Sequence, residues 1–180
     1  MKATGIVRRI DDLGRVVIPK EIRRTMRIRE GDPLEIFTDR EGEVIFKKYS
    51  PIGELASFAS QYVDTLNKIC SMSVVVTDRD TVIASAGVSK KEYNDKKLTG
   101  EFESLMEKRG LYIHQENDNQ ISICDGASSF VKYAMPIVSD GDIIGCIACV
   151  TTEVGKTDPQ STEAKLIQTA STFLGRQFEG

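Results

Sequence analysis

Residues 49–53, Tyr-Ser-Pro-Ile-Gly, divide this 180-residue chain into two parts of different character. A residue that precedes proline is disfavoured in a helix, so Ser50-Pro51 interrupts regular structure. The charge changes sign at the same place: residues 1–29 carry nine Lys or Arg against three Asp or Glu, whereas residues 51–180 carry twelve against eighteen. The sequence therefore predicts a domain at 1–50, a linker at 51–53 and a second domain at 54–180.

Composition and the length of apolar runs exclude several classes of protein. Apolar residues make up 40% of the chain, which is enough for packed cores and excludes full disorder. The longest apolar stretch, counting glycine, is residues 143–150, far below the ~20 residues of a membrane-spanning helix. The amino terminus has no secretory or transit pattern, and four scattered cysteines do not form a disulfide framework. We expect a cytoplasmic protein with no membrane partner.

The first 50 residues are predicted to form four short strands and one short helix. The strands are expected at residues 4–10, 15–18, 33–38 and 43–48, with a turn at Asp11-Asp12-Leu13-Gly14. So small a sheet, with so few large apolar side chains, is below the size at which one chain usually forms a sufficient core. Dimerisation of this domain is therefore expected.

The predicted helix follows Pro19 and has one basic face. At 100° per residue, Lys20, Arg23, Arg24 and Arg27 fall within about a third of the circumference, and the opposite face carries apolar residues. Further arginines close to the helix in sequence are Arg8, Arg9 and Arg15. Arginine donates paired hydrogen bonds to phosphate groups and to guanine edges, so this clustering indicates a nucleic-acid surface. The apolar positions of the helix, expected to be buried, are Ile22 and Met26.

A plainer interpretation is that these basic residues only solvate the helix and pair with Asp11, Asp12 and Glu21, as exposed charges often do. The local excess of six positive charges over residues 1–29 is against it. The same carboxylates are candidates for a metal site or for acid–base chemistry, but their position beside arginines favours charge balance and turn formation. We expect no metal, no cofactor and no catalytic residue.

Residues 4–49 resemble the amino-terminal domain of the AbrB family of bacterial transition-state regulators. The matching motifs are Leu-Gly-Arg-Val-Val-Ile-Pro at 13–19, the Arg-Arg helix, and Gly-Asp-Pro-Leu-Glu-Ile at 31–36. The resemblance implies a swapped-hairpin barrel in which two chains interleave, and binding of double-stranded DNA that tolerates sequence and responds to DNA shape. It assigns DNA contacts to Arg8, Arg15, Arg23 and Arg24, with Arg9 where a basic residue is usual. Lys20 and Arg27 are secondary, because the motif does not single them out.

The second domain is predicted to be α+β, with a mostly antiparallel sheet between two amphipathic helices. The bracketing helices are expected at 54–72 and 159–178, the latter capped by Asp158, with a further charged helix at 89–108. The predicted strands are residues 73–77, 81–85, 110–115, 120–124, 130–138 and 143–151. This domain resembles a GAF sensor domain. The whole combination resembles the sporulation regulators of endospore-forming bacteria, which activate some genes and repress others, and implies a nucleoid-associated protein of the forespore.

Enzyme chemistry finds little support in the second domain. Cys146 and Cys149 have C-x-x-C spacing, but on a strand residues three apart project to opposite faces, so we expect buried apolar thiols. A nucleophilic pair of Cys124 and His114 lacks a third, orienting group. Phosphate-binding glycine motifs are absent from the sequence.

Two interpretations of the second domain stay open. One is a sensor whose unidentified small-molecule ligand binds between the sheet and residues 88–129; the other is a structural domain that dimerises through its bracketing helices. Two dimer contacts on one chain permit a homotetramer. The rival functions are a toxin-neutralising antidote with the same amino-terminal fold, and a small hydrolase or redox enzyme that uses its cysteines.

Overall fold

The structure is a computed structural model that describes residues 5–54 and 56–177. Position 4 of the first predicted strand, position 55 of the first predicted long helix and position 178 at the end of the last lie outside the described residues. By its internal contacts the chain divides into two compact units, Met1–Tyr49 and Ser50–Gly180. The chain thus has the two-domain organisation of the predicted fold class.

The first unit contains one helix and a two-stranded antiparallel sheet. Helix α1 is Lys20–Thr25, and strands β1 (Leu34–Thr38) and β2 (Val44–Lys48) pair with Ile36 opposite Phe46. These elements agree with the predicted helix and with the third and fourth predicted strands. The turn before them is closed by backbone hydrogen bonds from Asp11 to Arg15 and from Gly14 to Asp11, each 3.0 Å long.

The first two predicted strands, at 4–10 and 15–18, are not formed among the described residues 5–10 and 15–18. A strand exists only where its backbone pairs with a neighbour, and alternation of apolar and polar residues does not say whether that neighbour is in the same chain. Residues 5–54 and 56–177 of the single chain provide no ladder for these two segments. A hairpin that pairs with a second copy has this property.

Helix α1 is shorter than predicted. It ends at Thr25, with Met26 as its C-cap, and Arg27 has the left-handed value φ 53°. Arg27 is therefore not on the basic face of the helix, and its carbonyl accepts a hydrogen bond of 2.9 Å from Lys48 Nζ. The same ammonium lies 3.4 Å from the carboxylate of Asp32, whose side chain is almost fully buried. These contacts hold the segment after α1 against β2.

Residues 5–49 form no apolar core of their own. Pro19 is the only one of them that is buried as a whole residue, although the side chain of Asp32 is also buried. Met26, expected to face a core, is 58% exposed. Within the described part of this unit, twelve large apolar side chains are exposed: Ile6, Val7, Ile10, Leu13, Val16, Val17, Met26, Ile36, Phe37, Val44, Phe46 and Tyr49. A water-soluble unit with this surface needs an apolar partner.

The second unit contains the strands β3 (Val74–Thr77), β4 (Val82–Ala86), β5 (Tyr112–Ile113), β6 (Phe130–Ser139) and β7 (Asp142–Thr151). They form a five-stranded antiparallel sheet of order β4-β3-β7-β6-β5. Its helices are α2 (Pro51–Glu54), α3 (Ala56–Cys70), α4 (Lys90–Tyr93), α5 (Gly100–Met106) and α6 (Thr162–Arg176). This arrangement confirms the predicted α+β class.

Both faces of the sheet are covered. The bracketing helices α3 and α6 pack on one face, where Val63 and Leu174 meet Ile147 in a buried apolar cluster. On the other face, α4, α5 and their connections bury Phe102 and Ile123. No helix among the described residues is long and apolar enough to cross a membrane.

Four features of the second unit differ from the prediction. Residues 51–53, expected as a linker, belong to α2. The charged helix predicted at 89–108 is broken into α4 and α5, because Lys96 and Asp80 join the intervening segment to the β4 edge by backbone hydrogen bonds of 2.9 Å. Residues 120–124 form no ladder: the Ile123 carbonyl accepts from Thr99, at the start of α5. The cap of α6 is Ser161 rather than Asp158.

Candidate nucleic-acid interface

The turn at residues 11–15 holds Arg15 in place. The Asp11 carboxylate accepts hydrogen bonds from the backbone N–H groups of Leu13 and Arg15, at 3.0 and 2.7 Å, and from Arg15 Nε at 2.8 Å. The bonds from Arg15 lower the pKa of the Asp11 carboxyl, so it stays ionised to a lower pH than an ordinary aspartate does. The Arg15 side chain remains 69% exposed.

Arg8 and Arg9 lie on the arm that precedes this turn, and both are exposed. Arg8 Nη1 donates to the carbonyl of its neighbour Val7 at 3.2 Å. No carboxylate among the described residues pairs with either guanidinium. These two side chains therefore keep most of their donors for another molecule.

Arg23 and Arg24 lie in the last turn of α1, and both are exposed, as is Lys20 at the start of the helix. Pro19 is the N-cap of the helix, and its φ of −56° is within the range that the proline ring fixes. Glu21 and Asp12 form no ion pair with these arginines in the part of the chain that is described. Neutralisation by neighbouring carboxylates, the alternative drawn from the sequence, thus applies to Arg15 alone among the five predicted contacts.

The five arginines form two groups. Arg8, Arg9 and Arg15 flank one turn, and Arg23 and Arg24 share one helix that begins soon after it. No side-chain contact within the described residues joins the two groups, so their union on one surface stays a prediction. The bonds that Asp11 makes to Arg15 were not foreseen in detail; the signal for them is an aspartate at the start of a turn that also contains glycine.

The cysteine chemistry considered from the sequence finds no support in the geometry. Cys146 and Cys149 lie on opposite faces of the sheet, one in each apolar cluster. Cys124 donates to the Glu92 carbonyl at 3.2 Å, whereas the His114 ring packs on Phe130 at 4.8 Å. Within the described residues no group of three His, Cys, Asp or Glu is placed to hold a metal ion.

A polar groove of about 450 Å³ lies at the end of the sheet where β7 ends and β6 begins. Its wall contains Lys132 and Glu163, whose Nζ and Oε2 atoms are 2.5 Å apart, and several hydroxyl groups, among them Ser73, Ser128 and Thr151. The middle of the space expected to hold a ligand, between the sheet and residues 88–129, is filled by the packed cluster around Phe102 and Ile123. The groove lies at the ends of that connection, where Val88, Tyr93 and Ser128 line it. A ligand site is therefore better sought in the groove.

Comparison with protein-family models separates the two parts of the chain. Residues 54–179 match the model described as stage V sporulation protein T C-terminal, transcription factor. Residues 7–53 match the model described as antidote-toxin recognition MazE, bacterial antitoxin. The second match covers only the part of the chain that the rival antidote function shares with DNA-binding regulators, so it does not favour the antidote.

A relative that spans the whole chain decides between these families. Stage V sporulation protein T of Bacillus subtilis (strain 168) is 49% identical over 181 residues, which are 99% of this chain and 99% of that protein. Transition state regulatory protein AbrB of the same organism is 63% identical over 51 residues, 28% of this chain and 52% of AbrB. The AbrB resemblance of the first domain is thereby confirmed.

A solved structure shows the fold of the second unit. Type II free methionine-R-sulfoxide reductase from Thermoplasma acidophilum superposes with a TM-score of 0.53 at 13% identity, covering 69% of this chain and 93% of that one. At so low an identity the likeness concerns the fold alone. The family assignment rests instead on the match to residues 54–179 and on the relative that spans the whole chain. The chain belongs to the stage V sporulation protein T family of transcription factors.

Proposed function

We propose that this protein is a homo-oligomeric regulator of sporulation genes that binds double-stranded DNA through Arg8, Arg9, Arg15, Arg23 and Arg24. In this proposal residues 1–50 form the swapped-hairpin DNA-binding domain. Residues 51–53 join it to a GAF-like sensor and oligomerisation domain at 54–180. The protein acts in the cytoplasm, on the nucleoid.

The observation that carries the proposal is the exposure of these arginines together with the absence of carboxylate partners at four of them among the described residues. A guanidinium that is not neutralised within the protein attracts phosphate and displaces the counterions that surround DNA. Planar, paired donors also fit phosphate oxygens and guanine edges. Binding through backbone contacts positions the protein without demanding one base sequence.

Dimerisation of the first domain is supported by its exposed apolar side chains. Val7, Leu13 and Val17 are 84%, 69% and 70% exposed in the single chain. Burying apolar surface stabilises a protein by about 25 cal/mol per Å², and a partner copy supplies the cover. A two-fold dimer also doubles the arginine set, because each chain brings its own.

A second contact between copies is supported by the outer surface of α3 and α6. The rings of Phe58, Tyr62 and Phe173 lie within 5.9–6.4 Å of one another, and Phe58 and Phe173 are 36% and 41% exposed. Pairing through this aromatic cluster, in addition to the hairpin contact, makes a homotetramer with two DNA-binding surfaces. Binding at two surfaces raises avidity through effective concentration.

A small polar molecule in the groove beside Lys132 and Glu163 is the proposed modulator of DNA binding. Exposed hydroxyls and one ion pair offer donors and acceptors to such a ligand. Its identity is open. Repeating the titration described below with the small-molecule fraction of a cell extract tests this part, and an unchanged DNA affinity contradicts it.

The DNA-binding proposal is tested by the salt dependence of affinity for a labelled duplex. Each phosphate contact contributes about −0.9 to the slope of log affinity against log salt. Arg24→Ala removes one contact from each chain, so a dimer should lose about 1.8 from the magnitude of that slope and bind more weakly. Arg23→Ala should behave in the same way.

Arg176→Ala is the matched control, because Arg176 is an exposed arginine in the last turn of α6, as Arg24 is in α1. It should leave both slope and affinity unchanged. Equal affinity of the wild-type protein at low and high salt contradicts the proposal, and so does an unchanged slope in both α1 variants.

A further inference from the structure

Asp11 uses both of its carboxylate oxygens on the same short turn. Oδ1 accepts from the backbone N–H groups of Leu13 and Arg15, and Oδ2 accepts from the side chain of Arg15. The backbone of Asp11 also donates to the Arg15 carbonyl, and Gly14, with φ +77°, closes the turn through the Asp11 carbonyl. The backbone and the guanidinium of Arg15 are thus held by one side chain.

The contact leaves the outer end of the guanidinium available. Arginine has five N–H donors, and Asp11 takes only the one on Nε. The two terminal nitrogens have no partner within the described residues, and the side chain stays 69% exposed. A carboxylate that fully occupied Arg15 would be expected to accept hydrogen bonds from a terminal nitrogen as well as from Nε, in a bidentate contact.

We propose that Asp11 is a positioning residue for DNA binding, which holds the Arg15 guanidinium with its terminal nitrogens turned toward the phosphate backbone. This inference rests on the proposed function, because it takes Arg15 as a DNA contact. A long side chain that is already held loses less conformational freedom when it binds. Asp11 therefore increases the affinity for a polyanion although it carries a negative charge.

The sign of the effect separates positioning from simple electrostatics. If Asp11 acted only as a charge, its removal from a basic surface would strengthen DNA binding. If it positions Arg15, its removal weakens binding. Asp12 is the matched control: it is the adjacent aspartate, it is exposed, and no hydrogen bond to its carboxylate is found within the described residues.

The test compares Asp11→Asn and Asp12→Asn in the full-length protein, titrated with one labelled duplex at fixed salt. Asparagine at 11 retains an acceptor for the two backbone N–H groups and loses the charged acceptor for Arg15 Nε. We expect Asp12→Asn to bind as tightly as the wild type or more tightly. Asp11→Asn should bind about five- to tenfold more weakly than Asp12→Asn, which corresponds to one less-ordered long side chain per chain.

The same pair of substitutions in an Arg15→Ala background separates positioning from loss of fold. With no guanidinium to hold, Asp11→Asn should affect binding no more than Asp12→Asn does. A defect in folding would weaken binding in both backgrounds, and that result overturns the inference.

Two further results also overturn it. One is an Asp11→Asn variant that binds DNA as tightly as Asp12→Asn. The other is an Arg15→Ala variant that binds as the wild type does, since Arg15 would then not touch DNA. Failure of the proposed function is distinguishable, because the wild-type protein itself would then show no salt-dependent binding.

Discussion

Asp11 and Asp12 are adjacent residues of the same type on one turn, yet their surroundings differ. Asp11 accepts three hydrogen bonds, and no bond to the carboxylate of Asp12 is found within the described residues. The sequence predicts a turn here because aspartate and glycine favour one, but it does not say which aspartate bonds to the backbone. At the scale of a residue, the hydrogen-bond partners decide what a charge does.

The four cysteines are expected to differ strongly in reactivity. Cys70 is exposed, and the others are buried. Burial raises the pKa of Cys149 to about 12 and also raises the pKa of Cys124 and Cys146, so the reactive thiolate is scarce at these positions. A thiol reagent at about pH 8 should modify one thiol quickly in the native protein and four after unfolding.

Cys70→Ala is the control for this measurement, because it should remove the fast phase and leave the slow one. Rapid modification of Cys146 or Cys149 in the native protein would contradict the burial of these thiols. It would also revive a redox role for the C-x-x-C spacing, which the opposite orientation of the two side chains argues against.

At the scale of elements, the 3.6-residue periodicity located the bracketing helices, because each buries one face along its length. The long central strands are covered on both faces, and their nearly continuous apolar runs located them. The start of α6 was placed too early. Asp158 and Pro159 make a plausible helix start, but the Tyr133 hydroxyl bonds with the backbone N–H and carbonyl of Asp158, at 3.1 and 3.2 Å, and holds it outside the helix. A contact between residues 25 apart leaves no local signal in the sequence.

The close approach of α6 to β6 depends on a glycine. A Cβ at Gly175 would lie 2.3 Å from the Val138 carbonyl oxygen, and Ser171 Oγ donates to the Pro136 carbonyl at 2.6 Å one turn earlier. Alanine favours an α-helix over glycine by about 1 kcal/mol, but a clash with a strand backbone typically costs about 1–3 kcal/mol. Gly175→Ala should therefore lower the thermal unfolding midpoint.

Gly100→Ala is the matched control, because Gly100 is also a helical glycine, the first residue of α5, and a Cβ there would meet nothing within 4 Å. It should leave the midpoint unchanged or raise it. A Gly175→Ala variant as stable as Gly100→Ala would show that α6 does not need this close contact.

At the scale of the whole molecule, the sequence indicated which arginines to examine but not how they come together. Charge and family motifs pick out Arg8, Arg9, Arg15, Arg23 and Arg24, and the structure shows that all are exposed. Their joint surface depends on a hairpin that has no strand partner among residues 5–49 and on apolar residues with no core in one chain. The strand partner of the hairpin and the cover of the apolar residues would both come from another copy, so neither the sequence pattern nor a single chain defines them.

The assembly itself supplies the last prediction, because the aromatic cluster and the hairpin would make different contacts. Phe173→Glu places a charge beside the Phe58 and Tyr62 rings, which lie 5.9 and 6.1 Å away, and burying an unpaired charge between copies is costly. The wild type should have the solution mass of four 20.0 kDa chains, and the variant that of two. Because the hairpin contact remains, the variant should keep the salt slope expected for one dimer and lose only avidity. Gln168→Glu, an exposed charge on the same helix, should stay tetrameric. A monomeric wild type, or a Phe173→Glu variant of unchanged mass, contradicts this arrangement.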